Sequence, residues 1–414
     1  MNDDNFVDYA GVRTSEEFRS KASTPPLNPS EAKIVPPPTP YTLKGEGQIS
    51  NAACVNHFAG ARIPSGFCTG TVSAKSYTIV YNFNPEACLY DNVTAYVSAS
   101  LLATAYGTTL AAAQDWPARA VTMVVPFPPG GGTDVLGRIV GRRLSETLGK
   151  QVIIENVGGA GGMIGSARVA HAAPDGYEFV LGSRADAINQ TLYKQPLYNL
   201  KDDLAPVILI ADQPMILIAR KDLPVNGLQD FIGYVKKNQS TLRSGSAGIG
   251  STGYVDCALF NMAIGVKVQD IPYRGGGPAL QDLIGQQFDY FCTLSPTAVP
   301  PVQAGLVKGI AMLSRERLPS LPGIPTADEQ GMDFEASTWF GFFLPKGTPA
   351  PIIKKLHDAT TAAINMPAVQ EQLAATGTFV VPPEHQSTQY FQSIIVPEIE
   401  KNGAPLKAAG MAIE

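Results

Sequence analysis

From about residue 116 onward the apolar positions follow two alternating rhythms, and these predict the architecture before any single residue is weighed. The run Val121-Thr122-Met123-Val124-Val125 is β-branched or apolar and predicts a buried strand. Pro126-Phe127-Pro128-Pro129-Gly130-Gly131-Gly132 continues neither strand nor helix, so a loop lies at the strand's carboxyl end. Beyond it Leu136, Val140, Leu144 and Leu148 recur at helical spacing up to Gly149, which predicts a helix packed on the sheet and stopped by a glycine. The unit is strand, glycine loop, helix.

The unit recurs. Strands are expected at 152–155 and 178–181, with a glycine cluster at 158–165 and a helix through 173 between them. Two apolar stretches, 206–211 and 215–219, lead to Arg220-Lys221-Asp222-Leu223-Pro224. A second series follows, with helices at 228–237, 254–264 and 278–284 and strands at 242–244, 266–271, 288–294 and 309–314. A possible strand at 340–344 and helices at 352–364 and 389–401 have no sheet of their own and are expected to return to the first lobe. The fold class is therefore α/β: two lobes, 116–219 plus 337–414 and 220–336, each a mainly parallel sheet flanked by helices, joined by two crossovers with a cleft between.

At 414 residues and 44% hydrophobic content the chain is long enough for two cores and extras. The formal net charge of −5 and the lack of any dense basic run argue against a nucleic-acid partner. No uninterrupted apolar window of about 18 residues occurs; the best candidate, 207–219, is broken by Asp212, Gln213 and Pro214. Cys257 and Cys292 read as two isolated small core residues, with a disulfide as the alternative if the protein is exported. No metal-like cysteine spacing appears, and neither a metal nor a cofactor is expected.

The first 115 residues differ. Seven prolines crowd between Pro25 and Pro40 and no period of 2 or 3.6 is sustained, so 1–92 is expected to be largely disordered. The uncharged run at 93–113 ends in Ala111-Ala112-Ala113 and resembles the later half of a secretory signal, but no basic residue lies closer upstream than Lys75. The expectation is an upstream extension foreign to the working protein, a signal-like segment at 93–115, and an exported body. The alternative is a genuine extension with a small-residue helix at 97–113.

Four glycine loops lie at strand carboxyl ends: 127–134, 158–165, 244–253 and 273–277. In open parallel sheets ligands sit there. Backbone N–H groups at a helix start suit an anion, and they must do most of the work here because Arg274 is the one cation near these loops. Ser183, Ser246, Ser251 and Thr252 add neutral hydroxyls, and Asp134 reads as a helix cap before a ligand contact.

Two enzyme patterns compete for the same residues. Gly248-Ile249-Gly250-Ser251-Thr252-Gly253 matches G-x-G-x-x-G, with Asp270 ending the next strand, so a nicotinamide-dependent oxidoreductase is the rival from another class. The preceding strand is poor and the other loops fail the pattern. A hydrolase elbow lacks its first glycine at both Ser246 and Ser251, and His171, His357 and His385 read as surface or packing residues.

The body from Trp116 resembles the Bug family of extracytoplasmic solute receptors, the substrate-binding proteins of tripartite tricarboxylate transporters. The matching text includes Val124-Val125-Pro126-Phe127-Pro128-Pro129-Gly130-Gly131-Gly132-Thr133-Asp134, Glu155-Asn156-Val157-Gly158-Gly159-Ala160-Gly161-Gly162, Pro174-Asp175-Gly176-Tyr177, Ser246-Ala247-Gly248, Pro272-Tyr273-Arg274-Gly275-Gly276-Gly277-Pro278-Ala279 and Trp339-Phe340-Gly341. The resemblance implies a periplasmic Venus-flytrap clamp, not an enzyme, that closes on a small organic acid or amino acid. It also implies delivery to the membrane components of a transporter or to a sensor, and the protein is expected to act as a monomer. Carried over, the ligand-binding set is Phe127, Pro128, Gly130, Gly131, Asp134 and Ser183 from one lobe, with Ala247, Gly248, Thr252, Tyr273, Gly275 and Gly276 from the other. The chain departs from the family at Arg184-Ala185-Asp186, which adds charge at the pocket rim, and at Ser295-Pro296.

Overall fold

The computed structural model describes residues 116–408 and 410–411, together with four short strands between 57 and 83. The chain divides into a unit of residues 1–112 and a unit of residues 113–414. In the first unit β1 (His57–Phe58) pairs with β2 (Ala61–Arg62), and β3 (Cys68–Ala74) pairs antiparallel with β4 (Tyr77–Phe83). Thr71, Val72, Thr78, Ile79, Val80 and Tyr81 in these ladders are strand formers by residue type. The signal-like segment at 93–115 lies outside the described residues.

In the second unit, β5 (Val121–Val125) is the centre of three parallel strands, flanked by β6 (Val152–Asn156) and β7 (Glu178–Ser183). Its side chains alternate between two cores. Val121, Met123 and Val125 pack with Leu136 and Val140 of α1 (Gly132–Leu148) on one face, while Val124 packs on the other with Met163 and Ala167 of α2 (Met163–Ala170). Helix α3 (Arg184–Leu192) starts directly from the end of β7.

The 17-residue strand β8 (Leu204–Arg220) joins the lobes. Residues 204–214 pair with β13 (Ser337–Pro345), whereas 215–219 pair with β11 (Tyr290–Leu294) and 216–220 with β12 (Val307–Met312). The change of partner falls at Pro214–Met215, earlier than the crossing expected near Arg220. Gln213 and Pro214 read as a break because they interrupt an apolar run, yet the strand runs through them. The return crossing lies at Ala336–Ser337, where β13 begins opposite Pro214.

The second lobe repeats the plan with parallel β10 (Gln269–Pro272), β9 (Arg243–Ser246) and β11. One face is covered by α4 (Leu228–Asn238) and α5 (Thr252–Ala263), the other by α6 (Gly276–Ile284) and α7 (Ser295–Gln303). Cys257 of α5 and Cys292 of β11 form a disulfide with their Cα atoms 5.4 Å apart, which replaces the expectation of two isolated thiols. Thirty-five residues separate them, so only the tertiary fold brings them together. The C-terminal α8 (Ala350–Ile364), α9 (Pro367–Ala375) and α10 (Thr388–Ala408) pack on the first lobe through Leu356, Leu373 and Phe391, and β14 (Phe379–Val380) pairs with β8.

Candidate functional site

Where a buried strand ends and a helix begins at once, the first backbone N–H groups of the helix have no partner within it. Five such starts meet at one cavity between the lobes. Gly131 caps α1, Ser183 caps α3, Ser251 caps α5, Gly275 caps α6 and Leu294 caps α7. The cavity is lined by residues from each of these starts, including Gly131, Ser183, Ser251, Gly276 and Leu294. Ser183 and Ser251 accept from Ala185 N at 3.3 Å and Tyr254 N at 3.2 Å, which leaves each hydroxyl hydrogen free to point elsewhere.

No Asp, Glu, Lys, Arg or His is among the lining residues, whose polar side chains are all hydroxyls: Thr133, Ser183, Ser251, Thr252, Thr293, Thr297 and Thr338. Phe127, Met215, Phe291 and Phe340 supply apolar wall. Each helix start favours a nearby anion by about 0.3–1 kcal/mol; those of α1 and α3 already carry Asp134 and Asp186 in their first turns. The cavity volume is about 30 Å³, against roughly 10–15 Å³ for one water. That is room for about two waters.

Of the residues expected at the site, Phe127, Gly131, Ser183, Ala247, Thr252 and Gly276 lie on the cavity wall. Pro128, Gly130, Asp134, Gly248, Tyr273 and Gly275 stand behind it or at the seam between the lobes. Asp134 is buried and accepts from Gly130 N at 3.0 Å, Arg138 Nε at 2.9 Å and Asn156 Nδ2 at 2.9 Å. Burial alone would raise its carboxyl, but the bonds from Arg138, Gly130 and Asn156 outweigh that and hold it below the usual value. It fixes the shape of the first loop. Tyr273 donates to Asp282 at 2.7 Å. Sequence reasoning missed Thr293, Thr297 and Thr338, and it missed Gln213, which donates to Gly132 O at 3.3 Å and Thr378 Oγ1 at 3.1 Å beneath the start of α1.

The glycine loops also meet each other. A Cβ at Gly275 would lie 2.6 Å from Pro128 Cδ, and one at Gly161 would lie 2.6 Å from Ile249 O, so the opposite lobe approaches both glycines more closely than a side chain there allows. Beside the cavity Ile188 and Leu192 pack against Val255 and Leu406. Arg184, expected to charge the pocket rim, instead forms an ion pair with Asp256 of the other lobe; their side chains are 14% and 4% exposed.

The G-x-G-x-x-G loop is turned to the same seam. Its Gly250 faces Asn189 and Tyr193 of the first lobe. Asp270, the acidic residue of that pattern, accepts from Ser244 Oγ at 3.3 Å and Ser246 Oγ at 2.7 Å. Burial raises its carboxyl from 3.8 to about 6. A folded-state value above the unfolded one contributes stability below pH 4 that is lost as pH rises through 6. Asp270→Asn is therefore expected to stabilise the protein at pH 8 by up to about 3 kcal/mol, with the gain shrinking toward zero near pH 4. Urea unfolding midpoints at both pH values check this.

A cavity ringed by helix starts, set between two α/β lobes joined by crossing strands, defines a solute-binding protein of the two-lobed periplasmic type. Residues 136–411 match the sequence model of the Tripartite tricarboxylate transporter family receptor. The chain belongs to this family, which comprises the Bug receptors. It is 33% identical to Protein BugT of Bordetella pertussis over 73% of this chain and 93% of that protein. The periplasmic binding protein BugD superposes with a TM-score of 0.70 at 37% identity, over 72% of this chain and all of BugD. MatC from Rhodopseudomonas palustris, solved with bound malate, gives 0.68 at 37% identity, over 70% of this chain and all of MatC. The family is one of binding receptors, and the oxidoreductase alternative falls with that finding. Among the described residues no helix is long and apolar enough to cross a membrane.

Proposed function

We propose that the protein captures a small carboxylate-bearing solute in the interlobe cavity, chiefly through backbone N–H groups, and delivers it to the membrane components of a tripartite tricarboxylate transporter. The observation that carries this reading is the meeting of five helix starts around a cavity lined only by uncharged side chains. The malate bound to the related MatC supports a compact organic acid. The lobes close over the solute, residues 116–214 with 337–411 forming one jaw and 215–336 the other. Action in the periplasm agrees with the Cys257–Cys292 disulfide, a bond favoured by oxidising compartments.

Gly131→Val tests the site. A Cβ at Gly131 fits, 3.7 Å from the backbone N of both Gly276 and Gly277, and the two extra methyls of valine then crowd those donors. Gly131 has φ −87°, so valine brings no backbone strain there. The variant should fold with unchanged melting temperature and lose at least about tenfold in affinity for organic acids, or roughly 1.4 kcal/mol. Solute at 100 times its dissociation constant stabilises by about 2.7 kcal/mol, so a thermal-shift titration resolves the loss. Wild-type affinity in the variant would refute the site.

A further inference from the structure

Two of the helix starts around the cavity, α1 in the first lobe and α7 in the second, are fastened from behind to one turn. On the first-lobe side Gln213 is fully buried, and its Nε2 donates to Gly132 O at 3.3 Å and to Thr378 Oγ1 at 3.1 Å. On the second-lobe side Ser295, the first residue of α7, is equally buried and donates its hydroxyl to Gly377 O at 2.7 Å. Gly377 and Thr378 are consecutive, so the bonds join into one line from Gly132 through Gln213, Thr378 and Gly377 to Ser295. Gly132 lines the cavity, as does Leu294, which caps α7. Gln213, Thr378 and Ser295 do not.

The line crosses the molecule where the lobes change over. β14 pairs Phe379 with Asp212 and Val380 with Ala211, so its antiparallel register brings Thr378 opposite Gln213, beside the partner change at Pro214–Met215. The turn is firmly held: Gly377 N and Thr378 N donate to Ala374 O and Leu373 O, each at 2.9 Å, and Thr376 Oγ1 donates to Leu373 O at 2.7 Å. Gly377 has φ +76°, and a Cβ there would lie 2.9 Å from Ser295 Cβ and 2.7 Å from Leu318 Cδ1, both of the second lobe. Backbone conformation and the approach of the other lobe both call for glycine. At the far end a Cβ on Gly132 would lie 2.8 Å from both Gln213 Oε1 and Leu294 Cβ, so the start of α1 is wedged between them.

Among the described residues Gln213 Oε1 has no hydrogen-bond partner. Burying it so is costly, and an apolar side chain would serve a core better. We propose that the turn at 376–378 is a bracket that sets the spacing of the α1 and α7 starts, with Gln213, Thr378 and Ser295 as positioning residues for solute capture. The inference rests on the interlobe site described above. A contiguous line of bonded, packed groups carries coupling between its ends, and the coupling is reciprocal: loosening either end loosens the other.

Ser295→Ala, Gln213→Met and Thr378→Val each break one link with little change of shape, and Thr378→Ser restores the hydroxyl. Amide hydrogen exchange of the full chain without solute reads the coupling. Ser295→Ala should speed exchange about 2- to 10-fold in the first turns of α7 and also of α1 in the other lobe, and Gln213→Met and Thr378→Val should do the converse. Thr378→Ser should exchange as the wild type does. Release of L-malate, followed by stopped flow, should quicken by a similar factor in the first three variants. Exchange changes confined to the lobe that carries the substitution would overturn the inference, since the three residues would then serve local folding only. Coupled exchange with an unchanged release rate would overturn their part in capture. Coupled exchange in a wild type that binds no L-malate would count against the carboxylate reading alone and leave the link between the helix starts standing.

Discussion

Gly275→Ala is expected to leave both lobes folded and to weaken solute binding roughly 5- to 150-fold, the equivalent of about 1–3 kcal/mol of overpacking. The residue sits in extended backbone at φ 169°, so alanine meets no local strain within its own lobe. The obstacle lies across the cleft, where the new Cβ would stand 2.6 Å from Cδ and 2.9 Å from Cγ of Pro128. A proline ring cannot swing aside as a flexible side chain would, so the first loop must retreat or the lobes must stay apart. The cost therefore falls on closure. Urea unfolding without solute should match the wild type within about 0.5 kcal/mol, while the dissociation constant rises. Equal loss of stability and affinity would mean that the contact supports the fold and not the closed clamp.

How much of this was legible in the sequence depended on whether a residue's role was local. Strand β5, its loop and α1 could be read because both faces of a parallel strand are covered, giving a continuous apolar run, and because Leu136, Val140, Leu144 and Leu148 form one stripe. Helix α3 was overlooked although Ser183-Arg184-Ala185-Asp186 is a capping-box pattern, and the structure forms that box. Helix α7 was hidden by Pro296, Pro300 and Pro301, residues that ordinarily argue against a helix. Thr297 disappeared with it, and Thr338 lay before the expected start of its strand. The partner change within β8, the Cys257–Cys292 bond and the Arg184–Asp256 pair are relations between distant segments, which no local spacing records.

The Arg184–Asp256 pair yields the second large effect. Burial pushes the Asp256 carboxyl above its ordinary value, and the Arg184 charge only partly opposes it. Arg184 Nε and Asp256 Oδ2 are themselves buried without hydrogen-bond partners, so the attraction does not fully offset the loss of water. Such a pair adds little net stability, but removing one member strands the other, at a cost of about 3–5 kcal/mol where no water can reach it. Here the two residues belong to opposite lobes, and opening the cleft returns a stranded Arg184 to solvent. Asp256→Ala should accordingly leave unfolding without solute nearly unchanged while weakening binding by about 100-fold or more. Replacing both, as in Arg184→Met with Asp256→Leu, removes the charges together and should recover most of the affinity. A double-mutant cycle on the dissociation constant distinguishes the cases. Additive losses in the double variant would show that the residues act separately and that the pair does not govern closure; recovery would show that charge buried across the seam, and not its attraction, is what the closed clamp must accommodate.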